Sequence, residues 1–419
     1  MRVNNENEIK GMKRRISNLF RLVKGGVFCL LLSLAFSVQA ARNDSVRFSL
    51  MTCSPGELIY ELFGHTAIRY QNFTTHEDIV YNYGLFDFDA PHFVWRFLRG
   101  ETDYELGAIP YPYFAKSYSL RGSEVCQQVL SMSNEEAYRL DSLLRLNLQP
   151  RHRVYRYNYF YDNCTTRARD RIEQAFLGKI QYPEGEEGAT YRSWVRRYTE
   201  GHPWSQFAID CCLGSEADLP IDAHKQLFLP DNLKEAFRLS IVVDSVEVGH
   251  KLLSGEEIIF PQREKKNVQA NADGFCLTPM CTMWMAFVLI SLISLIEWKR
   301  RIVFWGVDLL LFGLQGLAGL IISFLFFFST HPTVGSNFLI ILFNPLPLIY
   351  LPWMIYKVRK RQKDPYDVAN LIILTIFVAF LWAIPQKISL VVVPLALILL
   401  MRSVLHLANV RKQRHFIRR

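Results

Sequence analysis

The tightest constraint on this chain lies in its last third, where apolar segments recur from Met280 to Met401. They run over Met280–Ile296, Val303–Phe328, Phe338–Tyr356, Val368–Ile384 and Ile388–Met401. Lipid offers no partner for an exposed backbone amide, so segments of this kind fold as helices, and a bilayer core of about 30 Å takes about 20 helical residues. Only Pro385-Gln386-Lys387 separates the last two segments. One kinked span from Val368 to Met401 is too long for a single crossing, so two are expected. Asn344, Pro345, Pro347 and Pro352 interrupt the third segment and predict a kinked helix or a cavity near the outer leaflet. Asp308, inside the second, is expected to reach the interface or to pair with Arg301.

Charge orients these spans. Lys299-Arg300-Arg301, the run Lys357–Lys363 with five basic residues, and the C-terminal Arg411, Lys412, Arg414, Arg418 and Arg419 fall in alternate gaps. Thr330–Ser336, between the second and third spans, carries no Lys or Arg. Basic loops stay in the cytoplasm, so five spans put the tail inside and everything before Met280 outside. The N-terminus agrees. Lys13, Arg14, Arg15, Arg21 and Lys24 precede a short apolar core, Val27–Phe36, and the small-residue site Val38-Gln39-Ala40 reads as the end of a signal peptide.

The overall charge of +9 hides a partition: residues 1–40 carry +5, residues 41–279 carry −7 and residues 280–419 carry +11. Positive charge belongs to the membrane-contacting parts, so no nucleic-acid partner is expected. The domain plan is a signal peptide over 1–40 and an exported domain over 41–260. A polar tether over 261–279 leads to a transmembrane domain over 280–402, and a basic tail over 403–419 closes the chain.

Within the exported domain, Val46–Thr52, His65–Tyr70, Ile79–Gly84 and Thr102–Ile109 read as strands, and Val154–Tyr161 alternates with tyrosines. Glu57–Phe63 reads as one or two helical turns. Asn134–Leu148 has helical periodicity with a capping box of Ser133 and Glu136. Cys164–Leu177 is a second helix, closed by Gly178, and a third runs from about Asp231 to Leu239. Strands and helices interleave irregularly, with neither a glycine-rich phosphate loop nor zinc-type Cys/His spacing, so an α+β fold is expected and neither metal nor cofactor. Tyr155, Tyr157, Tyr159, Tyr161, Phe93, Trp95 and Phe97 are expected mostly in the core, some of them forming a face that rests on the bilayer.

Five cysteines fall in this domain: Cys53, Cys126, Cys164, Cys211 and Cys212. Outside the cytoplasm disulfides are the ordinary fate, but an odd number leaves one thiol over. Cys164 is the best candidate for it, because it stands at a helix start with Asp162 or Asn163 as cap, where a thiol's pKa falls. His65, opening a strand after Gly64, is the candidate base. The glycine permits close backbone approach, expected here from the Cys164 helix. Asn82, on the next strand, has the polarity to orient an imidazole, with His76 and Asp78 as alternatives. Arg167, one turn into the Cys164 helix, is the candidate contact for a lipid phosphate.

Histidine before cysteine reverses the papain order and resembles the circularly permuted NlpC-type papain-like hydrolases, among them the lecithin:retinol acyltransferase-like enzymes. More closely, Pro55-Gly56, Phe63-Gly64-His65-Thr66, Tyr161-Asp162-Asn163-Cys164-Thr165-Thr166-Arg167 and Asp170 resemble the bacterial lipoprotein N-acyltransferase family Lnb, an exported domain followed by five membrane helices. The resemblance implies an α+β, permuted papain-like (NlpC-type) exported domain followed by an all-α transmembrane bundle in the bacterial inner (cytoplasmic) membrane. It implies Cys164 as nucleophile and His65 as base, with Asn82 as orienter by the permuted-fold analogy. A phospholipid would be the acyl donor and a diacylated apolipoprotein the acceptor. The rivals are a membrane-tethered cysteine hydrolase of cell-wall peptides and a non-enzymatic envelope scaffold.

Overall fold

The computed structural model describes residues 45–56, 58–87, 89–244, 249–262 and 277–417. The expected signal peptide lies outside the described residues, as does 263–276 of the expected tether. Two compact units are distinguished. The small one is Met1–Arg47 with Gln71–Glu77; in its described part Phe73 donates its N–H to Ser45 O at 3.0 Å, and the Arg47 guanidinium lies 4.9 Å over the Phe73 ring. The larger unit, Phe48–Tyr70 with Asp78–Arg419, contains the candidate site and the membrane helices.

The strands are β1 (Val46–Cys53), β2 (His65–Asn72), β3 (Glu77–Leu85), β4 (Asp103–Pro110), β5 (Val125–Leu130), β6 (Val154–Arg156), β7 (Lys179–Gln181), β8 (Ile241–Val243), β9 (Gly249–Lys251) and β10 (Leu253–Phe260). Seven form one sheet in the order β10-β5-β1-β2-β3-β4-β6, and β7-β8-β9 form a second. β5 runs antiparallel to β1 and β10, and β4 to β3 and β6. From Phe48 on, β1 is buried on both faces, so it reads as a nearly continuous run of apolar and small residues. Met51, Cys53, Ala67, Val80 and Val125 pack with Phe114 in one core cluster.

The exported domain's helices are α1 (Phe93–Arg99), α2 (Tyr111–Arg121), α3 (Asn134–Leu148), α4 (Cys164–Ala175), α5 (Tyr191–Tyr198), α6 (Pro203–Cys212) and α7 (Pro230–Leu239), with a short turn at Ala223–Gln226 between the last two. The expected capping box forms: Ser133 Oγ accepts the Glu136 N–H at 3.3 Å and the Glu136 carboxylate accepts the Ser133 N–H at 2.8 Å. This is the α+β domain expected. Two local expectations fail. Leu58–Phe63 forms turns, not a helix, because Gly56 N–H closes the loop onto Glu61 O at 3.0 Å. Beyond Arg156 the alternating run leaves the sheet, because Asn158 Oδ1 takes the N–H groups of Phe160 and Tyr161 at 3.1 and 3.0 Å and folds the chain into a turn.

The C-terminal part is a helical bundle of α8 (Pro279–Arg300), α9 (Trp305–Phe328), α10 (Leu346–Arg359), α11 (Pro365–Ala379) and α12 (Val392–Ile417). Among the described residues, four stretches are long and apolar enough to cross a membrane: Pro279–Arg300, Trp305–Phe328, Phe338–Arg359 and Val392–Val410. The fourth expected span is the exception. It forms the 15-residue α11 and one 3-10 turn at Leu381–Ala383, short of an ordinary crossing. The third is interrupted as its prolines require, with a 3-10 turn at Phe338–Ile341 before α10 and Pro352 inside the helix. Asp308 does not pair with Arg301. It is fully buried, bonds Arg402 at 2.7 and 2.9 Å and lies 3.2 Å from His406 Nε2. Arg402 also holds Glu297 and Ser294, so the last helix continues as part of the bundle past residue 402, where the tail was expected to begin.

The two parts are joined by hydrogen bonds at the α9–α10 and α11–α12 connections. Thr330 donates its N–H to Arg99 O at 2.8 Å, and Gly214 N–H meets Thr333 O at 2.9 Å. Tyr159 OH donates to Pro332 O at 2.7 Å. Gln386 Nε2 donates to Leu213 O at 2.9 Å, and Arg196 reaches Lys387 O at 2.7 Å.

Candidate active site

Cys164 is the first residue of α4, and its cap is Asn163 rather than Asp162. Asn163 Oδ1 accepts the N–H groups of Thr165 and Thr166 at 2.8 and 2.9 Å. Its Nδ2 donates to Tyr159 O and Phe228 O, each at 2.9 Å. Thr166 Oγ1 completes the box by accepting the Asn163 N–H at 2.8 Å. The helix start is thereby anchored to two other segments. The Cys164 N–H, one of the four amides a helix leaves over at its N-terminus, has no partner among the described residues.

His65 opens β2, and its Nε2 is hydrogen-bonded to Asn82 Oδ1 on β3. With the Nε2–H donated to the amide oxygen, Nδ1 carries the lone pair, and that is the nitrogen left for the thiol. Tyr118 of α2 stacks on the ring at 6.4 Å and 12°. Gly64, just before it, has φ of 74°, and a Cβ there would lie 2.7 Å from Cys53 O. The close approach is thus to β1 and not, as expected, to the Cys164 helix. That helix faces Gly84 instead, where a Cβ would lie 3.6 Å from Cys164 Cβ. Gly84 has φ of 88° and stands in an irregularity of the β3–β4 ladder between Asn82 and Leu85, as bulges beside sites commonly do.

The electrostatics favour the thiolate at Cys164. Burial pushes the Cys164 thiol up, but the His65 charge, the bond to His65, the Thr66 backbone N–H and the Thr165 hydroxyl outweigh it, and the pKa falls below the ordinary 9.0. Burial likewise works against a charged His65, and the Cys164 thiolate, the bond to it and the bond to Asn82 reverse the balance, so its pKa rises above 6.5. The thiols of Cys53, Cys126, Cys211 and Cys212 go the opposite way. Burial drives Cys53 far up despite a bond to Tyr118, Cys126 up to about 11 and Cys211 up to about 12. All six described cysteines are free, so no disulfide among the described residues competes for Cys164. Burial also raises Tyr104 to about 12, and it takes Tyr155 and Tyr157 above the phenol range, as a water-poor surround does.

Cys164, His65 and Asn82 are therefore brought together. Arg167 lies one turn along α4, with its guanidinium on Asp162 at 2.6 and 2.7 Å and 3.5 Å over the Tyr155 ring. Of the alternatives to Asn82, Asp78 is held by Arg69 at 2.7 and 2.9 Å, and His76 belongs to the small unit. Sequence reasoning passed over Thr66, Tyr118 and Gly84. A glycine ending a strand with alternating tyrosines was the one available signal; the stacking of Tyr118 depends on α2, a helix without marked periodicity.

Two family models match this chain. Residues 35–197 match the Lnb N-terminal periplasmic domain, and residues 270–414 match the Lnb transmembrane domain. No curated protein and no solved structure matches.

Proposed function

The chain belongs to the Lnb family, a membrane protein with an N-terminal periplasmic domain, and on that premise we propose that it is a lipoprotein N-acyltransferase of the bacterial inner membrane. It moves a fatty acyl group from a phospholipid, through a thioester on Cys164, to the N-terminal amine of a diacylated apolipoprotein. The observation that carries this reading is the Cys164–His65–Asn82 constellation, held by a domain hydrogen-bonded onto the loops that join membrane helices. A tethered wall-peptide hydrolase needs the same three side chains but no such docking.

His65 Nδ1 takes the Cys164 proton, and the thiolate attacks the ester carbonyl of the donor. The Cys164 N–H stabilises the oxyanion. As the C–O bond breaks, His65 returns the proton to the glycerol oxygen and a lysophospholipid leaves. The lipoprotein amine then attacks the thioester, an amide forms, the C–S bond breaks, and the amine's proton passes through His65 to the Cys164 sulfur. Asn82 fixes the imidazole in the tautomer both steps require. The tyrosines about Cys164 keep water scarce, which favours transfer over hydrolysis. The permuted papain-like scheme supplies the same division of labour. Arg167 takes a donor phosphate by exchanging Asp162 for it.

Mass spectrometry of intact lipoproteins tests the reading. Cells relying on this protein for N-acylation should make triacylated lipoproteins, and cells carrying Cys164→Ala should make only diacylated ones. Triacylation that persists with Cys164→Ala refutes the proposal.

A further inference from the structure

Ring contacts reach α1 from a membrane helix through Trp95, and a second run of rings leads from Phe97 of the same helix to the space beside the nucleophile. Trp95 of α1 packs against Phe324, four residues before the end of the spanning helix α9, at 4.9 Å. On the same short helix, Phe97 meets Phe93 at 6.2 Å and Phe93 meets Phe86 at 5.9 Å. Phe86 lies 4.9 Å from Tyr104, and Tyr104 stacks on Tyr157 at 4.2 Å. Tyr157 Cε2 and Cys164 Cβ lie 3.9 and 3.6 Å from the position a Cβ at Gly84 would take. α1 has no buried residue, with Val94 70% and Trp95 53% exposed, although aromatics here were expected mostly in the core. An exposed apolar helix packed on a membrane span is covered by lipid. We infer that α1 is seated in the outer leaflet and that the series Phe97, Phe93, Phe86, Tyr104, Tyr157 is the path by which the acyl chain of a donor phospholipid reaches Cys164. Gly84 keeps the end of the path open. The inference rests on the proposed acyl transfer and adds the residues that select long chains.

The test uses the full chain in vesicles of phosphatidylethanolamine and phosphatidylglycerol, reading Cys164 acylation by peptide mass. Phe86→Ser should lower the ratio of long-chain transfer from phospholipid to butyryl transfer from p-nitrophenyl butyrate roughly tenfold, since several methylene contacts are lost. Phe86→Leu, still apolar, should restore it. Iodoacetamide alkylation of Cys164 reports whether the thiol site is intact. An unchanged ratio, or two transfers falling by one factor, overturns the path. A wild-type protein that accepts butyrate but never a phospholipid acyl chain brings down the transferase reading, and the path with it.

A separate observation concerns Tyr155. Its hydroxyl is buried without a hydrogen-bond partner among the described residues, the residue is 7% exposed, and the oxygen lies 4.0 Å from the position a Cβ at Gly84 would take. A buried, unpaired hydroxyl is costly unless something meets it. The geometry points to Tyr155 as the second oxyanion donor beside the Cys164 N–H. Tyr155→Phe should lower the rate of Cys164 acylation by roughly a hundredfold while leaving the pH midpoint of Cys164 alkylation in place. Acylation at the wild-type rate refutes the assignment, and a displaced midpoint assigns Tyr155 to the thiol's ionisation instead.

Discussion

A buried thiol and a buried imidazole each resist charging alone, and here each supplies the charge that makes the other's ionisation favourable. The sign of the pH dependence follows. Alkylation of Cys164 by iodoacetamide should rise with pH with a midpoint below 9.0, because the thiolate forms as soon as the His65 charge can face it. His65→Ala removes that charge and leaves burial dominant, so the midpoint should move above 9.0. Asn82→Ala takes away one of the bonds that raise His65 and frees the ring to turn, and acyl transfer should fall roughly a hundredfold. Cys53→Ala should retain transfer, since that thiol is held protonated by burial. Transfer lost with Cys53→Ala and kept with Cys164→Ala would reverse the assignment.

At the scale of elements, the start of α4 carries the most weight. Asn163→Ala removes two cap bonds and two anchoring bonds. It should cost about 2 kcal/mol of stability, read as a lower unfolding midpoint, and should slow alkylation as the helix start loosens. An unchanged midpoint would show that the cap is redundant. This helix start was legible in sequence through its capping asparagine. So was α3, through Ser133 and Glu136. Strand β5 was not: its Gln127 and Gln128 are buried, Gln127 accepting from Arg69 and Gln128 donating to Lys234 O and Glu256, and two polar residues in a six-residue run erase the apolar pattern a strand shows. The aromatics of α1 were read as core with some facing the bilayer; Trp95 and Phe97 are exposed, Trp95 packing on a membrane helix, and composition alone does not tell which aromatics take which surround.

At the scale of the molecule, the loops that hold the exported domain are those joining α9 to α10 and α11 to α12, so both belong on its side of the membrane. Reporter fusions at Thr333 should lie outside, and fusions after Lys363 and at the C-terminus inside. A C-terminus found outside contradicts this arrangement and would leave α11 as a segment that does not cross. Loop charge supplied the expected orientation, whereas the buried set of Arg402, Asp308, Glu297 and His406 was not readable, because its members lie far apart in the chain. Arg402→Leu leaves Asp308 and Glu297 without their cation and should destabilise the bundle by about 3–5 kcal/mol, seen as loss of folded protein in detergent on heating. An unaltered melting profile would show that the set is dispensable.

The measurement closest to the central claim is the mass of the Cys164 peptide from full-length protein incubated with phospholipid and no amine. A fatty acyl adduct should accumulate there, removable by neutral hydroxylamine as a thioester is, and a diacylated lipopeptide with a free N-terminus should discharge it into a hydroxylamine-resistant amide. An adduct formed from wall peptides and not from phospholipid, or none on Cys164 at all, would contradict the account.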